Sequence, residues 1–210
     1  MVTLRKIRRA AEKLIAPYGN VTYAQSGEDM ILDFLVGHKP FGFYVDVGCN
    51  HPLLGSNTYR FYRKGWRGIC IDANPRFMRA FRKFRPRDAF VQACISDKEE
   101  DVEFHFFAHS ELSSISGKPL YDNDEHYRPL GSRKMRARPL HTVLAELNAP
   151  QDFDILSVDV EGHDEAVLRS LGSYRPKVIV AEFGGAEPLD LPGYERTATT
   201  WSNAFYVASG

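Results

Sequence analysis

The amino-acid sequence predicts an α/β fold, with a mainly parallel seven-stranded sheet, helices on both faces and a C-terminal antiparallel hairpin. Short apolar runs rich in β-branched residues alternate with segments of helical periodicity along most of the chain. Polar residues follow several of these runs directly, as expected where buried parallel strands end. The last two apolar runs are separated by only a few residues, which indicates a hairpin.

Length and charge narrow the class of protein. The 210 residues suit one principal domain, residues 21–210, after a short N-terminal element, residues 1–20. The 27 basic and 27 acidic residues cancel, which argues against a dedicated nucleic-acid-binding protein. Cys49, Cys70 and Cys94 lack metal-type spacing and are expected to be buried thiols in a reducing compartment. No segment has the ~20 apolar residues of a membrane span, and the N-terminus lacks the apolar core of a signal peptide, so a cytoplasmic location is expected.

The sequence of the N-terminal element predicts a basic amphipathic helix. Its apolar face consists of Leu4, Ile7, Ala11, Leu14 and Ile15, and lysines and arginines cover the other faces. Such a helix suits peripheral contact with the inner face of an anionic membrane, or docking on a partner. The favoured interpretation is an ordinary first helix with a solvated basic face.

The first strand and the loop after it are typical of a nucleotide-cofactor site. Residues 43–47 form a buried strand that contains Asp46 and leads into Gly48, Cys49 and Asn50. Ligands bind at this edge of open α/β sheets, because the loops there leave backbone N–H groups free. The next glycine is Gly55, so the turn is wider than the G-x-G-x-x-G turn that binds a pyrophosphate. A wide loop suits a bulkier ligand without phosphates, such as S-adenosylmethionine.

The second strand, residues 68–71, ends in Asp72. A carboxylate at this position suits the two ribose hydroxyls, because it accepts both hydrogen bonds with charge assistance. Asn74 and Pro75 then suit the N-cap and the first residue of a helix.

The remaining elements follow from periodicity and from residues that begin or end helices. Helices are predicted at residues 26–35, 56–65, 74–84, 140–147 and 163–171, and further strands at residues 89–95, 102–107, 153–160, 177–183, 196–201 and 204–208. Aromatic residues recur between residues 77 and 84, among basic residues that include Arg82, Arg85 and Arg87. This combination suggests RNA binding, but the helical spacing indicates that the aromatic residues form a core face and that the arginines are solvated. Residues 110–138 have no sustained period and are expected to form a long loop or lid over the site.

Right-handed crossovers in such a sheet place several carboxylates at one edge. These carboxylates are Asp46, Asp72, Asp97, Asp159 and Glu182. This common edge is the strongest functional signal that follows from the residues alone.

The ordered motifs resemble those of the FkbM-type S-adenosylmethionine-dependent methyltransferases. The motifs are YAQSGEDMIL, YVDVGCN, SNTYRFYRKGWRGICIDANP, ISD and LSVDVEGHDEAVL, and the resemblance extends from Tyr23 to the C-terminus. It implies a Rossmann-like class I methyltransferase fold and O-methylation, often of sugars in polysaccharides or glycosylated metabolites. The chain departs from the family pattern at His51-Pro52, where relatives often have their second glycine.

The resemblance also assigns site residues. The residues that would bind the cofactor are Asp46, Gly48 and Asn50 at the methionine end, Asp72 at the ribose, Ser96 and Asp97 beside the adenine, and Asp159 near the methyl group. Asn57 and Ala73 are further cofactor-binding candidates. Glu161 and Gly162 complete a D-x-E-G motif with Asp159.

A sugar hydroxyl is a poor nucleophile, so its proton needs a base or a divalent cation. Asp159 and Glu182 offer oxygen ligands suited to Mg²⁺, with Glu161 or Asp164 as additions. His163 is an alternative base, because its unperturbed pKa lies near neutrality, although a solvated residue at a helix start is the commoner case.

Other residues are candidates for contact with the acceptor. The long loop offers five residues that could contact the acceptor, although surface positions without such contact are the simpler expectation. They are His109, Glu111, Asp122, Asp124 and His126. Trp66 and Trp201 could stack on a sugar ring, but core packing is the default for both.

Three functions remain open at this point. The favoured one is a glycan O-methyltransferase that acts on a sugar-containing acceptor. The alternatives are a methyltransferase of RNA or another small molecule, and a cofactor-fold interaction module without turnover.

Overall fold

A computed structural model describes residues 20–115, 128–183 and 187–210. The predicted N-terminal helix, residues 1–20, lies outside the described residues apart from its last residue. The central part of the predicted lid, residues 116–127, also lies outside them.

The described elements confirm the alternation of helices and strands. The α-helices are α1 Glu28–Leu35, α2 Tyr59–Lys64, α3 Met78–Phe84, α4 Leu140–Glu146 and α5 Asp164–Arg169. The strands are β1 Phe43–Val47, β2 Arg67–Asp72, β3 Ala89–Gln92, β4 Cys94–Ile95, β5 Glu100–Phe107, β6 Pro129–Arg138, β7 Ile155–Val158, β8 Val178–Glu182, β9 Tyr194–Thr199 and β10 Asn203–Ala208. Short 3-10 helices cover Pro75–Phe77 and Ser110–Leu112. Within the described ranges, no helix combines the length and the apolar character needed to cross a membrane.

The main sheet has seven strands in the order β3-β2-β1-β7-β8-β10-β9. Strands β3, β2, β1, β7 and β8 are parallel, whereas β10 pairs antiparallel with both β8 and β9. The predicted mainly parallel sheet and C-terminal hairpin are therefore confirmed. The chain reverses strand order between β1 and β7, and ligands bind at such a switch point.

The central strands are buried on both faces. In β1, Val45 and Val47 pack into one apolar cluster with Leu156 and Ile179, while Tyr44 packs into the cluster on the opposite face. Burying an aliphatic side chain fully stabilises the fold by roughly 1.5–3 kcal/mol. These near-continuous apolar runs explain why β1, β7 and β8 are recognisable from the sequence.

Local capping explains how two of the helices start and stop. The Asn74 side chain accepts a hydrogen bond from Arg76 N at 3.1 Å, and Pro75 follows at the first helical position, as predicted. Gly65 ends α2 with a φ of 108°, a conformation that costs glycine little.

A second sheet corrects two expectations. Its order is β4-β6-β5, and the ten residues of β6 belong to the segment predicted as a loop at residues 110–138. The sequence of β6 lacks alternation, and its strand structure comes from antiparallel pairing with β5. The predicted strand at residues 89–95 divides, because β3 pairs with β2 whereas β4 pairs with β6.

Candidate active site

The loop after β1 approaches the loop after β7 so closely that a glycine is required. Gly48 has a φ of 81°, and a Cβ there would lie 1.7 Å from the main-chain oxygen of Asp159. Gly48 N and Cys49 N both donate to Ile71 O, at 2.9 and 3.2 Å. The backbone at Gly48 is therefore fixed between β2 and β7.

Asp72 holds the same loop from the end of β2. Its carboxylate accepts hydrogen bonds from Asn50 N at 2.8 Å and from Asn74 N at 2.7 Å. Burial raises the pKa of Asp72 to about 6, and these two hydrogen bonds oppose the rise. Asp72 and Ala73 line the smaller of two neighbouring cavities.

Asp46 lies within β1, paired with Cys70 and Ser157, and not in the loop after the strand. Its carboxylate accepts a hydrogen bond from Thr58 Oγ1 at 2.5 Å. Burial raises the pKa of Asp46, and the nearby Arg85 charge opposes that shift. Asp46 still reaches the larger cavity, as does Asn57, whose Nδ2 donates to Ser157 Oγ at 3.2 Å.

Three carboxylates meet at the carboxyl ends of β7 and β8. Asp159, Glu161 and Glu182 each offer an oxygen, and these oxygens lie within 4.8 Å of one another. Burial and then the neighbouring Glu182 raise the pKa of Asp159 well above its usual value. Burial and then the neighbouring acids raise the pKa of Glu161 to about 8 and that of Glu182 to about 7. Such a cluster needs shared protons or a cation, because closely spaced carboxylates cannot all ionise cheaply.

The turn after Asp159 presents Glu161 in an unusual backbone conformation. Glu161 has a φ of 55°, in the left-handed region that ordinary side chains seldom adopt. The Asp164 carboxylate accepts hydrogen bonds from Val160 N and Gly162 N, both at 3.2 Å, on either side of Glu161. Asp164 therefore fixes the turn that places Glu161 beside Asp159.

Ser96 and His163 contact each other beside the smaller cavity. Ser96 Oγ and His163 Nε2 are 3.1 Å apart, and His163 lines the smaller cavity. Asp97 is exposed and does not line either cavity. The strand before it, β4, belongs to the second sheet, which explains why Asp97 leaves the edge shared by Asp72, Asp159 and Glu182.

Two cavities form a continuous site along this edge. The smaller is about 50 Å³ and the larger about 610 Å³, and both are lined by Gly48, Asn50 and Asp159. Ser110, at the start of the predicted lid, also lines both cavities, and its hydroxyl donates to Asn50 Oδ1 at 2.8 Å. The described beginning of the segment thus contacts the first loop.

The His51-Pro52 departure has a local explanation. His51 Nδ1 accepts hydrogen bonds from Leu53 N at 3.1 Å and Leu54 N at 3.0 Å, so the imidazole closes the wide turn. The His51 ring packs edge-on against Phe77 with centroids 4.8 Å apart. The family's second glycine is thus replaced by a turn that a side chain holds.

Arg85 is an important residue that the sequence interpretation placed wrongly. It was expected on the solvated face of a helix, but its side chain is fully buried in an ion pair with Asp88, at 2.7 Å. The guanidinium also donates to Thr58 Oγ1 at 2.9 Å and to Pro52 O at 3.4 Å. The sequence did not indicate this burial, because Arg85 follows Phe81 and Phe84, and basic residues next to an aromatic stripe usually lie on the solvated face of a helix.

Only some of the described residues predicted to contact the acceptor line either cavity. His109 and Glu111 are exposed and line the larger cavity, whereas Asp122, Asp124 and His126 lie outside the described residues. Trp66 is buried, as expected, but Trp201 is 73% exposed, so core packing was wrong for that residue.

The cysteines match their expected state. Cys49, Cys70 and Cys94 are free and buried.

No curated protein sequence matches the chain. Among solved structures, a TehB-like SAM-dependent methyltransferase from Corynebacterium glutamicum is 13% identical with a TM-score of 0.44, over 98% of this chain and 97% of that one. A methyltransferase from Geobacter sulfurreducens is 14% identical with a TM-score of 0.48, over 100% and 92%. The 1,6-didemethyltoxoflavin-N1-methyltransferase of Burkholderia thailandensis, with bound S-adenosylhomocysteine, is 10% identical with a TM-score of 0.38, over 100% and 75%.

The family comparison is stronger than these structural similarities. The profile described as "Methyltransferase FkbM domain" matches residues 46–195, from Asp46 in β1 to the start of β9. The match includes Asp72, the three clustered carboxylates and the wide first loop. The chain therefore belongs to the FkbM methyltransferase family and is an S-adenosylmethionine-dependent methyltransferase.

Proposed function

We propose that this protein transfers the methyl group of S-adenosylmethionine to a hydroxyl of a sugar-containing acceptor. The observation that carries the proposal is the group of three carboxylates, Asp159, Glu161 and Glu182, of which Asp159 lines both cavities. A strong nucleophile needs no such group, whereas a sugar hydroxyl must lose a proton to react. The family resemblance supports a sugar as the carrier of that hydroxyl.

We propose that the cofactor binds along the two neighbouring cavities. In our proposal, Asp72 accepts hydrogen bonds from the ribose, since its carboxylate lines the cavity and keeps further acceptor capacity. Gly48, Asn50 and Asn57 contact the methionine end in the larger cavity, with Asp46 beneath them. Ala73 lies beside Asp72 in the smaller cavity, and His163, which lines that cavity and contacts Ser96, lies toward the adenine. In this proposal the methyl group lies near Asp159, which lines both cavities.

The reaction is an in-line displacement. The acceptor oxygen attacks the methyl carbon, the carbon–sulfur bond breaks toward sulfur, and the hydroxyl proton passes to a carboxylate. Glu161 suits this role because its raised pKa, about 8, makes its ionised form a stronger base than an exposed glutamate. His163 is less suited, because its Nε2 already contacts Ser96 Oγ.

A divalent cation is the second way to activate the hydroxyl. Carboxylate oxygens within 4.8 Å of one another fit Mg²⁺, which would act as a Lewis acid that lowers the pKa of the hydroxyl. In that case Asp159, Glu161 and Glu182 would hold the ion, and Asp164 would still fix the turn between them.

A methyl-transfer assay tests the proposal. Purified protein and labelled S-adenosylmethionine are incubated with monosaccharides, methyl glycosides, pyranose trisaccharides and bacterial polysaccharides, and products are checked by NMR for an O-methyl signal. We expect transfer in this panel, and a loss of about 100-fold or more in kcat for Glu161→Gln. Glu165→Gln is the matched control, because Glu165 is exposed on α5 and pairs with Arg169.

Other outcomes would redirect the interpretation. Binding of S-adenosylhomocysteine without transfer to any sugar would remove the sugar acceptor from the proposal. Transfer only to RNA or to an aglycone would favour the alternative methyltransferase classes. Loss of transfer in EDTA, restored by Mg²⁺ in the native protein and not in Asp159→Asn, would assign the cluster to a metal ion.

We also propose that the protein acts in the cytoplasm. Three free, buried cysteines support a reducing compartment. Peripheral membrane contact through residues 1–20 remains a prediction, and fractionation of cells with and without that segment tests it.

A further inference from the structure

The turn between β9 and β10 lies at the same edge as the carboxylate cluster. Asn203, the first residue of β10, pairs with Glu182, the last residue of the antiparallel strand β8. The turn before Asn203 therefore extends beyond the sheet on the side where β7 and β8 end. Strand β10 is two positions from β7, a separation of about 10 Å.

The turn is held rigidly by buried polar groups. The carboxylate of Glu28, which is 1% exposed, accepts hydrogen bonds from Thr200 Oγ1 at 3.2 Å and from Asn203 Nδ2 at 3.3 Å. Ser202 O accepts a hydrogen bond from Phe183 N at 2.9 Å, directly after Glu182. Both α1 and β8 thus fix the turn.

A large aromatic side chain is exposed on this fixed turn. Trp201 is 73% exposed, although its neighbours Ser202 and Asn203 are buried. A lone exposed aromatic residue needs no explanation, but a tryptophan on a turn whose backbone is fixed, at the edge of the sheet that carries the carboxylate cluster, is well placed for binding. The indole is broad and flat and has few rotatable bonds, so it loses little entropy when a ring packs on it.

We propose that Trp201 is a stacking platform for a pyranose ring of the acceptor. The apolar C–H face of a pyranose packs on the indole, while its hydroxyls stay in water at the rim. The separation of about 10 Å from β7 means that the stacked ring is not the methylated ring but one further along the same acceptor. The platform therefore selects oligosaccharides or extended glycosides over single sugars. This inference rests on the proposed function, because it concerns the acceptor of the same reaction.

The experiment compares Trp201→Ala and Trp201→Phe with the native protein. Phe41→Ala is the matched control, because Phe41 is 75% exposed but precedes β1, at the opposite edge of the sheet. Kinetics are measured with the best trisaccharide acceptor of the panel and with the corresponding methyl monosaccharide. Titration of S-adenosylhomocysteine into each variant reports on the cofactor site separately.

We expect Trp201→Ala to raise KM for the trisaccharide about tenfold, with kcat and S-adenosylhomocysteine affinity within about twofold. KM for the monosaccharide should not change, and Trp201→Phe should recover most of the loss. In the native protein, the trisaccharide should also protect Trp201 from iodide quenching, since Trp66, the other of the two tryptophans, is buried.

Two results would overturn the inference, and they differ from each other. An unchanged trisaccharide KM in Trp201→Ala, with transfer intact, would remove the platform and leave the proposed function standing. Absence of transfer to every sugar by native protein that binds S-adenosylhomocysteine would remove the sugar acceptor and the platform together.

Discussion

Replacing Asp72 with asparagine should weaken cofactor binding while leaving the fold nearly unchanged. Asp72 lines the smaller cavity, where we propose that the ribose binds, and accepts hydrogen bonds from Asn50 N and Asn74 N. Asparagine keeps the shape but loses the charge that strengthens hydrogen bonds from the ribose. We expect a loss of about 2–3 kcal/mol, which is about a 30- to 140-fold increase in Kd for S-adenosylhomocysteine.

The stability of the variant follows from two opposing effects. The pKa of Asp72 rises from 3.8 to about 6 on folding, so the folded protein binds more protons between these values and loses stability as pH increases through them. At neutral pH this costs roughly 3 kcal/mol, which Asp72→Asn removes. The asparagine amide cannot accept one of the two backbone hydrogen bonds, which costs about 1–3 kcal/mol. The net change in unfolding free energy without ligand should therefore be small.

The pH dependence of binding gives a sharper test. In the proposed cofactor site, the ribose hydroxyls bind the ionised form of Asp72, so we expect affinity to fall as pH decreases through about 6. Between pH 7.5 and pH 5, native protein should lose about tenfold in affinity, relative to Asp72→Asn, from this group. Calorimetric titration measures both proteins, with the exposed Asp152→Asn as control.

Two results would refute this reasoning. The first is a Kd for Asp72→Asn within twofold of the native value. The second is the same pH profile for both proteins, which would show that other acids cause the titration.

Two further predictions concern the support of the first loop. Gly48→Ala should abolish S-adenosylhomocysteine binding, because it combines left-handed strain of about 1–2 kcal/mol with a clash against the main chain. Gly55 has a φ of 63° and open space around it, so Gly55→Ala should add the strain without the clash. Arg85→Met leaves the buried Asp88 carboxylate without its ion-pair partner, so it should lower the free energy of unfolding in urea by about 3–5 kcal/mol. Arg82→Ala, on the exposed face of α3, should change this free energy by less than about 0.5 kcal/mol. Equal S-adenosylhomocysteine binding by the two glycine variants would contradict the glycine prediction. Equal urea midpoints for the two arginine variants would contradict the arginine prediction.

The sequence was informative where local chemistry and strand pattern agreed. Asp72, Asn74 and Pro75 were placed correctly because a carboxylate after a buried strand and a capped helix are both local signals. The meeting of Asp159 with Glu182 followed from parallel topology, which the apolar runs of β7 and β8 predicted.

Other parts of the structure depend on partners that are distant in sequence. Strand β6 has exposed, charged residues, and its strand structure comes from pairing with β5 along its length and with β4 at its end. Asp97 left the site because β4 joined the second sheet. Arg85 looked like a surface residue, and only the fold shows that Asp88 and Tyr44 enclose it. Long-range pairing and buried ion networks have no local periodicity, so sequence patterns did not indicate them.

The buried Arg85 network also determines how the cofactor loop can move. Loops usually belong to the least stable part of a protein and open independently of the core. Here the carbonyl of Pro52 and the hydroxyl of Ser56 are tied to a guanidinium that lies inside the fold. The loop and the central strands therefore form one cooperative unit, and the enzyme should lose its cofactor site only when its core unfolds.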